Sequence, residues 1–588
     1  MTSGPFLIQP RRLVPVLLLG YLALGLVAPA SGNDERPRLA LDGGTSEQRD
    51  NIRATLNMAR QRCDLPEFRV SRVLRDSEQR AREALRAIGH YHPDMELSLD
   101  RDAEPCWTLN LDFDPGPPTT VEWLDLQVTG EGRMDPAFEA ILMQTQIATG
   151  DVLRHDRYDA LRSRFTRVAA ERGYFDAELT LRRLEVDTEQ RTASIRLHMD
   201  TGPRYRLGEI RIEQDILRGR LMQRLVPFEP GDPYASARII ELQRNLNNSG
   251  YFESVRVRPL RDEADERHVP VAVELEPRNR LAFEAGIGYS TDIGPRTRFG
   301  MENRYANRRG HRYTGEVEAS PVRSGVAFNY EIPLRDPLRE RLNLFTSWRT
   351  EDTSTQQFDR FQLGTSRVLQ RDSGWQTTEM VRYEYEDYTV GDETDTSQLL
   401  IPSYRVSRTE ADDPMTPRRG YRLEGTVQGA AEDLLSTTTF AQVRGNARYI
   451  RGLGPGRALL RADAGYTEVD SVRELPSSLR FYAGGDGSIR GYGYQRLGPE
   501  NEDGDVIGGR HRLVGSAEYE IPVFGDWSAA VFVDAGNAFD DFSDFDTVYG
   551  TGVGVRWRSP VGPIRLDIAH GPDSDDDFRI HFSMGPDL

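Results

Sequence analysis

From Arg280 to the C-terminus, apolar and polar residues alternate with a period of two. Leu281, Phe283, Ala285, Ile287 and Tyr289 alternate with Ala282, Glu284, Gly286 and Gly288, and Val381, Tyr383 and Tyr385 with Arg382, Glu384 and Glu386. Sixteen such segments run to the end of the chain. An even number of alternating strands of about ten residues predicts a transmembrane β-barrel, apolar outside and polar inside. A soluble β-sandwich also alternates. It does not account for aromatics near strand ends beside an opposite face that carries Glu518, Glu520, Arg556, Arg565 and Asp567. On the C-terminal strands Ala517, Tyr519, Ile521, Thr551, Val553, Val555 and Trp557 are expected to face lipid. Gly550, Gly552 and Gly554 then face inward, and three inward glycines in succession predict a groove that admits a folded-in loop.

Before Arg280 the period changes and one pattern recurs three times. In the clearest copy a turn at Glu229-Pro230-Gly231-Asp232 precedes a helical run through Ile239, Leu242 and Leu246. Ser249-Gly250-Tyr251-Phe252 and a strand through Val255 and Val257 follow. The middle copy has Tyr158, Leu161 and Phe165, then Gly173-Tyr174-Phe175; the first has Ala81, Leu85 and Ile88, then Gly89-His90-Tyr91. Each glycine sits where a helix must stop, as a C-terminal cap. The order strand, two helices, strand, strand predicts small α+β modules. Turn sequences at Asp114-Pro115-Gly116-Pro117 and Thr201-Gly202-Pro203 divide them into residues 31–115, 116–201 and 202–278, with the barrel over 279–588.

A mean hydropathy of −0.59 argues against a helical membrane protein, and strands that need only every second residue apolar fit within it. A net charge of −18 argues against nucleic acid as a partner. Arg11 and Arg12 precede a short apolar run over Leu13–Val27 and then Ala28-Pro29-Ala30, so residues 1–30 read as a secretory signal peptide. Export favours a disulfide between the two cysteines, Cys63 and Cys106, within one small module. It would close a loop of about 40 residues and contribute about 3–4 kcal/mol; the alternative is a pair of buried thiols.

The stretch Arg480–Pro499 holds Gly-Gly-Asp-Gly-Ser488-Ile489-Arg490-Gly491-Tyr492-Gly-Tyr. Glycines on both sides allow close backbone packing and fix one cation in place. Inside a barrel that cation requires a carboxylate. Downstream, Trp527–Phe539 puts Phe532, Asp534 and Gly536 on the inner face if Val531 and Val533 face lipid, so Arg490 is expected to pair with Asp534. The alternative is a glycine-rich surface turn. At the C-terminus Gly585 and Pro586 weaken the last strand, since proline has no amide donor, and Gly286 and Gly288 are expected to interrupt the first. The seam between first and last strands is then expected to open laterally; simple fraying is the alternative.

The Ile-Arg-Gly-Tyr motif at 489–492, followed about forty residues later by Phe-Val-Asp-Ala-Gly-Asn at 532–537, resembles the loop and strand motifs of the BamA-like superfamily of outer-membrane insertases and transporters. With three repeats that resemble POTRA domains, the chain looks most like the translocation and assembly module (TamA) subgroup. The resemblance implies a location in the outer membrane of a Gram-negative bacterium with periplasmic POTRA domains. It implies that the loop locks against the inner wall through Arg490, Gly491, Tyr492, Asp534 and Gly536, with Glu518 and Glu520 beside them. It further implies contact with outer-membrane lipid, with unfolded outer-membrane client proteins such as autotransporters, and with an inner-membrane-anchored, periplasm-spanning TamB-like partner. Other readings are a secretion pore of the two-partner type and a receptor or adhesin displaying acidic loops.

No enzyme is expected. The chain has no Gly-x-Ser-x-Gly elbow, no His-Glu-x-x-His, no P-loop and no Cys-x-x-Cys, and no cofactor or metal is implied. The nine histidines are scattered, and His90 and His92 read as surface residues. Asn501–Asp505 and Asp573–Asp577 read as solvated acidic turns, with Ca²⁺ loops as the alternative.

Overall fold

The computed structural model describes residues 36–585, apart from 59–62, 65, 105, 560–561 and 575. Two compact units divide at Pro203 and Arg204, with Glu171–Gly173 belonging to the second. Residues 1–30 and Pro586 lie outside the described residues.

The first unit holds two modules. One is β1 (Arg38–Gly43), α1 (Ser46–Leu56), α2 (Glu67–Ala87), β2 (Asp94–Asp100) and β3 (Thr108–Asp114). The other is β4 (Thr120–Thr129), α3 (Pro136–Met143), α4 (His155–Arg172), β5 (Glu178–Asp187) and β6 (Thr192–Asp200). In both, the last strand is central, parallel to the first and antiparallel to the second. The central strands bury one face against the helices. Leu109, Leu111 and Phe113 pack with Ile52, Ala81 and Leu85, and Ala193, Ile195, Leu197 and Met199 with Phe138, Ile141, Leu161 and Phe165. Each such side chain contributes about 1.5–3 kcal/mol by leaving water.

Thr45 and Gln48 form a reciprocal cap at the start of α1, and Asp135 caps α3. After α2, Gly89 takes φ +92° and His90 N–H closes back on Leu85 O at 2.9 Å. That turn directs His90 inward, contrary to the surface position expected of it. His90 is buried, bonded to Gln48 Nε2 and to Gly116 O, both at 2.9 Å. His92 remains exposed. Cys63, ahead of α2, is joined to Cys106, ahead of β3, with their Cα atoms 5.3 Å apart.

The second unit opens with a third module: β7 (Arg206–Glu213), α5 (Gly219–Leu225), α6 (Ser236–Asn248), β8 (Phe252–Pro259) and β9 (His268–Pro277), with β9 central. After Gly250 the two aromatics diverge. Phe252 enters the module's core, whereas Tyr251 leaves it and bonds Gly310 O at 2.6 Å, in a turn of the barrel, with the Arg312 guanidinium 4.4 Å from its ring.

Sixteen strands follow, β10 (Leu281–Ser290) to β25 (Arg579–Met584), each antiparallel to the next in chain order. Val531, Val533, Val553, Val555, Leu566 and Ile568 are exposed on the outside, while Arg382, Glu384 and Glu386 are buried inside. Phe524, Trp527 and Trp557 stack at one end of the strands, as interfacial aromatics do. Among the described residues no helix is long and apolar enough to cross a membrane. That leaves the strands as the spanning elements, because a barrel satisfies every backbone group away from its seam.

At the seam, β10 and β25 stand at the two ends of the sheet, with no ladder between them among the described residues. What joins them is a backbone bond from Thr291 N to Phe582 O (3.2 Å), a bond from Phe582 N to Thr291 Oγ1 (3.1 Å), and the Tyr289 and Phe582 rings edge to face. The expected interruption of the first strand is absent. β10 pairs with β11 (Gly294–Asn303) at every position, Gly286 opposite Arg298 and Gly288 opposite Arg296. Both glycines take ordinary extended backbone, and Gly288 makes room for the Arg296 stem. β25 is six residues long against ten in β10.

Candidate functional site

The segment 469–510, between β20 (Gly456–Glu468) and β21 (His511–Phe524), turns into the barrel. Phe481, Ala483, Ile489, Arg490 and Tyr492 are all buried there. Glycine permits this close approach. Gly491 takes φ +99° with its α-carbon against Gly571 and the His570 carbonyl, and a Cβ at Gly550 would overlap the Arg490 carbonyl. The glycines of β23 (Val548–Ser559) do not form one continuous groove, however. Beyond Gly550, the space over Gly552 is taken by the Phe532 ring, and that over Gly554 by the Arg556–Asp567 pair. The period of the strand gave the direction of these glycines but not what fills the space above them.

Arg490 lies over β22 (Trp527–Phe539), where Asp534 has no exposed surface. Its Nε and Nη2 donate to the two oxygens of Asp534 at 2.8 and 3.0 Å, and its backbone N–H donates to Oδ2 at 3.1 Å. Nη1 reaches Glu518 at 2.7 Å and Asp567 at 3.2 Å, and the guanidinium carbon sits 3.4 Å from the Phe532 ring centre. Three strands therefore supply carboxylates to one loop arginine. Arg556 bridges Glu518 (2.7 Å) and Asp567 (2.6 Å) from the other side. Glu520 pairs with Arg457 at 2.7 Å and reaches Arg556 at 3.6 Å. Arg461, 4.0 Å from Asp534, brings the cluster to four guanidiniums and four carboxylates. Such matching is needed, since an unpaired charge in this setting costs several kcal/mol.

Gly536, at φ +141°, lets β22 approach β21 where a side chain would strike Leu513 O. The Tyr492 ring lies against Gly571. Sequence reasoning did not name Asp567 as a direct partner of Arg490, Phe532 as its platform, or His581, whose Nε2 accepts the Gly491 N–H at 2.9 Å. Each was legible as an inward-facing residue; the partner it would meet was not. Gly286 and Gly288 meet none of these residues, whereas Gly585, whose N–H bonds Pro563 O at 3.1 Å, lines the same cavity as Arg490, Glu518 and Asp567. The acidic turn at Asn501 is closed on itself, Asn501 Oδ1 accepting from Asp503 N and Asp505 N.

Residues 306–587 match the Omp85 superfamily domain, residues 38–115 the POTRA domain described as TamA domain 1, and residues 205–278 a further POTRA domain. The chain belongs to the Omp85 superfamily. It resides in the Gram-negative outer membrane with its POTRA domains in the periplasm. It is 24% identical over 403 residues to the outer membrane protein assembly factor BamA of Nitratidesulfovibrio vulgaris, covering 63% of this chain and 49% of that protein. It is 33% identical over 160 residues to the chloroplastic outer envelope protein 80 of Arabidopsis thaliana, covering 25% of this chain and 19% of that one. The chain thus spans about half, or less, of the length of these relatives. Its fold resembles a crystal structure of BamA from Haemophilus ducreyi lacking POTRA domains 1–3, with a TM-score of 0.68 at 18% identity, over 79% of this chain and 99% of that one.

Proposed function

We propose that this Omp85 protein assembles other proteins into or across the outer membrane, using the seam between β10 and β25 as a template for incoming strands. The observation that carries this reading is the missing ladder. One edge of β10 and one edge of β25 keep backbone donors and acceptors that a client strand can pair with, so that its own groups never face lipid alone. The Arg490 cluster is the lock that holds the inner loop beside that seam. The TamA-type first POTRA domain supports the finer assignment, to autotransporter-like clients and a periplasm-spanning TamB-like partner met by the periplasmic modules. A secretion pore of the two-partner type is less well supported, because the inner loop occupies the lumen. No step of this mechanism makes or breaks a covalent bond.

The test uses Tyr289→Cys with Phe582→Cys, at neighbouring positions across the seam. Oxidised, the pair is expected to block client assembly in membranes carrying the full chain; reduction restores it. Undiminished assembly with the seam cross-linked would overturn the reading.

A further inference from the structure

The turn between β10 and β11, the inner loop and β25 meet at one small polar group outside the Arg490 cluster. One side-chain oxygen or nitrogen from each of Asp292, Asp486 and His581 lies within 4.8 Å of the other two. We infer that these three residues form a proton-sensitive positioning relay, holding the first hairpin, the inner loop and the last strand together where the ladder is missing. The inference rests on the seam reading above.

The hydrogen bonds fix the tautomer of His581. The Gly491 N–H can only donate, so His581 Nε2 carries no proton. The neutral ring bears its proton on Nδ1 and donates it to Asp486 Oδ1 at 2.6 Å. The same oxygen accepts from Thr291 Oγ1 at 2.7 Å, and Thr291 Oγ1 accepts from Phe582 N–H at 3.1 Å. One carboxylate oxygen on the inner loop therefore ends two arms, one reaching the β10 turn and one reaching β25. The other oxygen, Asp486 Oδ2, is buried without a hydrogen-bond partner. Both imidazole nitrogens are already engaged, so a metal ion taking either one would displace a hydrogen bond.

Asp292 supplies the sensitivity. Its Oδ2 accepts the Asp486 N–H at 2.9 Å. It lies in a turn outside the strands, where burial first, and the Asp486 charge second, push its carboxyl up to about 7. Arg579 opposes that shift. The remaining charged groups around the adjoining cavity are Asp352, Arg496, Glu500, Asp573 and Asp576, with Tyr494 also facing it. A carboxyl raised in the folded state stabilises fully below its ordinary value, and that contribution is lost as pH rises through about 7. Above that pH two carboxylates face each other across the join and the relay loosens.

The test places nitroxide labels on Ala285→Cys in β10 and Ile580→Cys in β25 of the full chain in lipid nanodiscs; the native cysteines are already paired. Distances are read at pH 6 and pH 8, across which the ionised fraction of Asp292 rises about tenfold. A longer-distance population that grows at pH 8 supports the relay. Asp292→Asn, which still accepts the Asp486 N–H, is expected to abolish the growth, and Thr291→Val to raise that population at both pH values. Identical distributions at both pH values, or a full shift retained in Asp292→Asn, would overturn it. A change produced at fixed pH by EDTA, CaCl₂ or ZnCl₂ would assign the group to a cation instead. Failure of the seam reading appears separately, in client assembly by the cross-linked barrel.

Discussion

Arg490 makes side-chain hydrogen bonds to three carboxylates on three strands, a task suited to a planar guanidinium and not to a point charge. Arg490→Ala leaves Asp534 buried with the Ser516 hydroxyl and with Arg461 4.0 Å away, at a cost of about 3–5 kcal/mol. Arg490→Lys keeps the charge but reaches fewer oxygens, so it is expected to recover only part of that loss. The temperature at which the folded barrel loses its characteristic gel mobility reads both effects; equal stability of Arg490→Ala and wild type would contradict this assignment. The pairing partner Asp534 was within reach of the sequence because a strand period of two fixes which residues face inward. Glu518 and Asp567 were legible as inward too, but which inward carboxylates gather around one cation depends on strand stagger, and no local pattern encodes that.

At the scale of elements, each N-terminal module is a three-stranded sheet under two helices. The first has a covalent addition. Cys63→Ser with Cys106→Ser is expected to lower that module's stability by about 3–4 kcal/mol, read by denaturant unfolding, while the barrel's gel mobility is unchanged. The third module is tied to the barrel through Tyr251. Tyr251→Phe removes the bond to Gly310 O and should cost about 0.5–1.5 kcal/mol, whereas Tyr251→Ala also empties the site and should cost about 3–5 kcal/mol. Faster proteolysis at residues 278–281 in the alanine variant, with little change in the phenylalanine one, is the expected result. The glycine caps and helix periods made these modules readable. The outward turn of Tyr251 was not readable, because the same Gly-Tyr-Phe sequence serves a cap whether the tyrosine faces its own sheet or a neighbour.

For the whole molecule, the central quantity is how often the seam is open. Its two edges are joined by few bonds, and each joining bond runs through Thr291 or the Phe582 ring. Locking by cysteines at 289 and 582 should therefore silence assembly without unfolding the barrel. Raising pH through about 7 should loosen the join through Asp292. The two experiments bracket the same motion from opposite sides: one forbids it and the other favours it.

Alternation by itself determined that the C-terminal half is a sixteen-stranded barrel and which residues face lipid, because a strand's faces are set by neighbouring positions along one chain. The repeat of helix, glycine and aromatics likewise determined three βααββ modules. Only the tertiary structure decided that β10 is unbroken, that no ladder joins it to β25 among the described residues, and that glycines 552 and 554 accommodate the wall's own side chains. It also decided that Asp292, Asp486 and His581, separated by nearly three hundred residues, share one hydrogen-bonded relay. Barrel closure and an inward loop bring distant segments together, and the free energy of that contact belongs to the pair, with no signature in either segment alone.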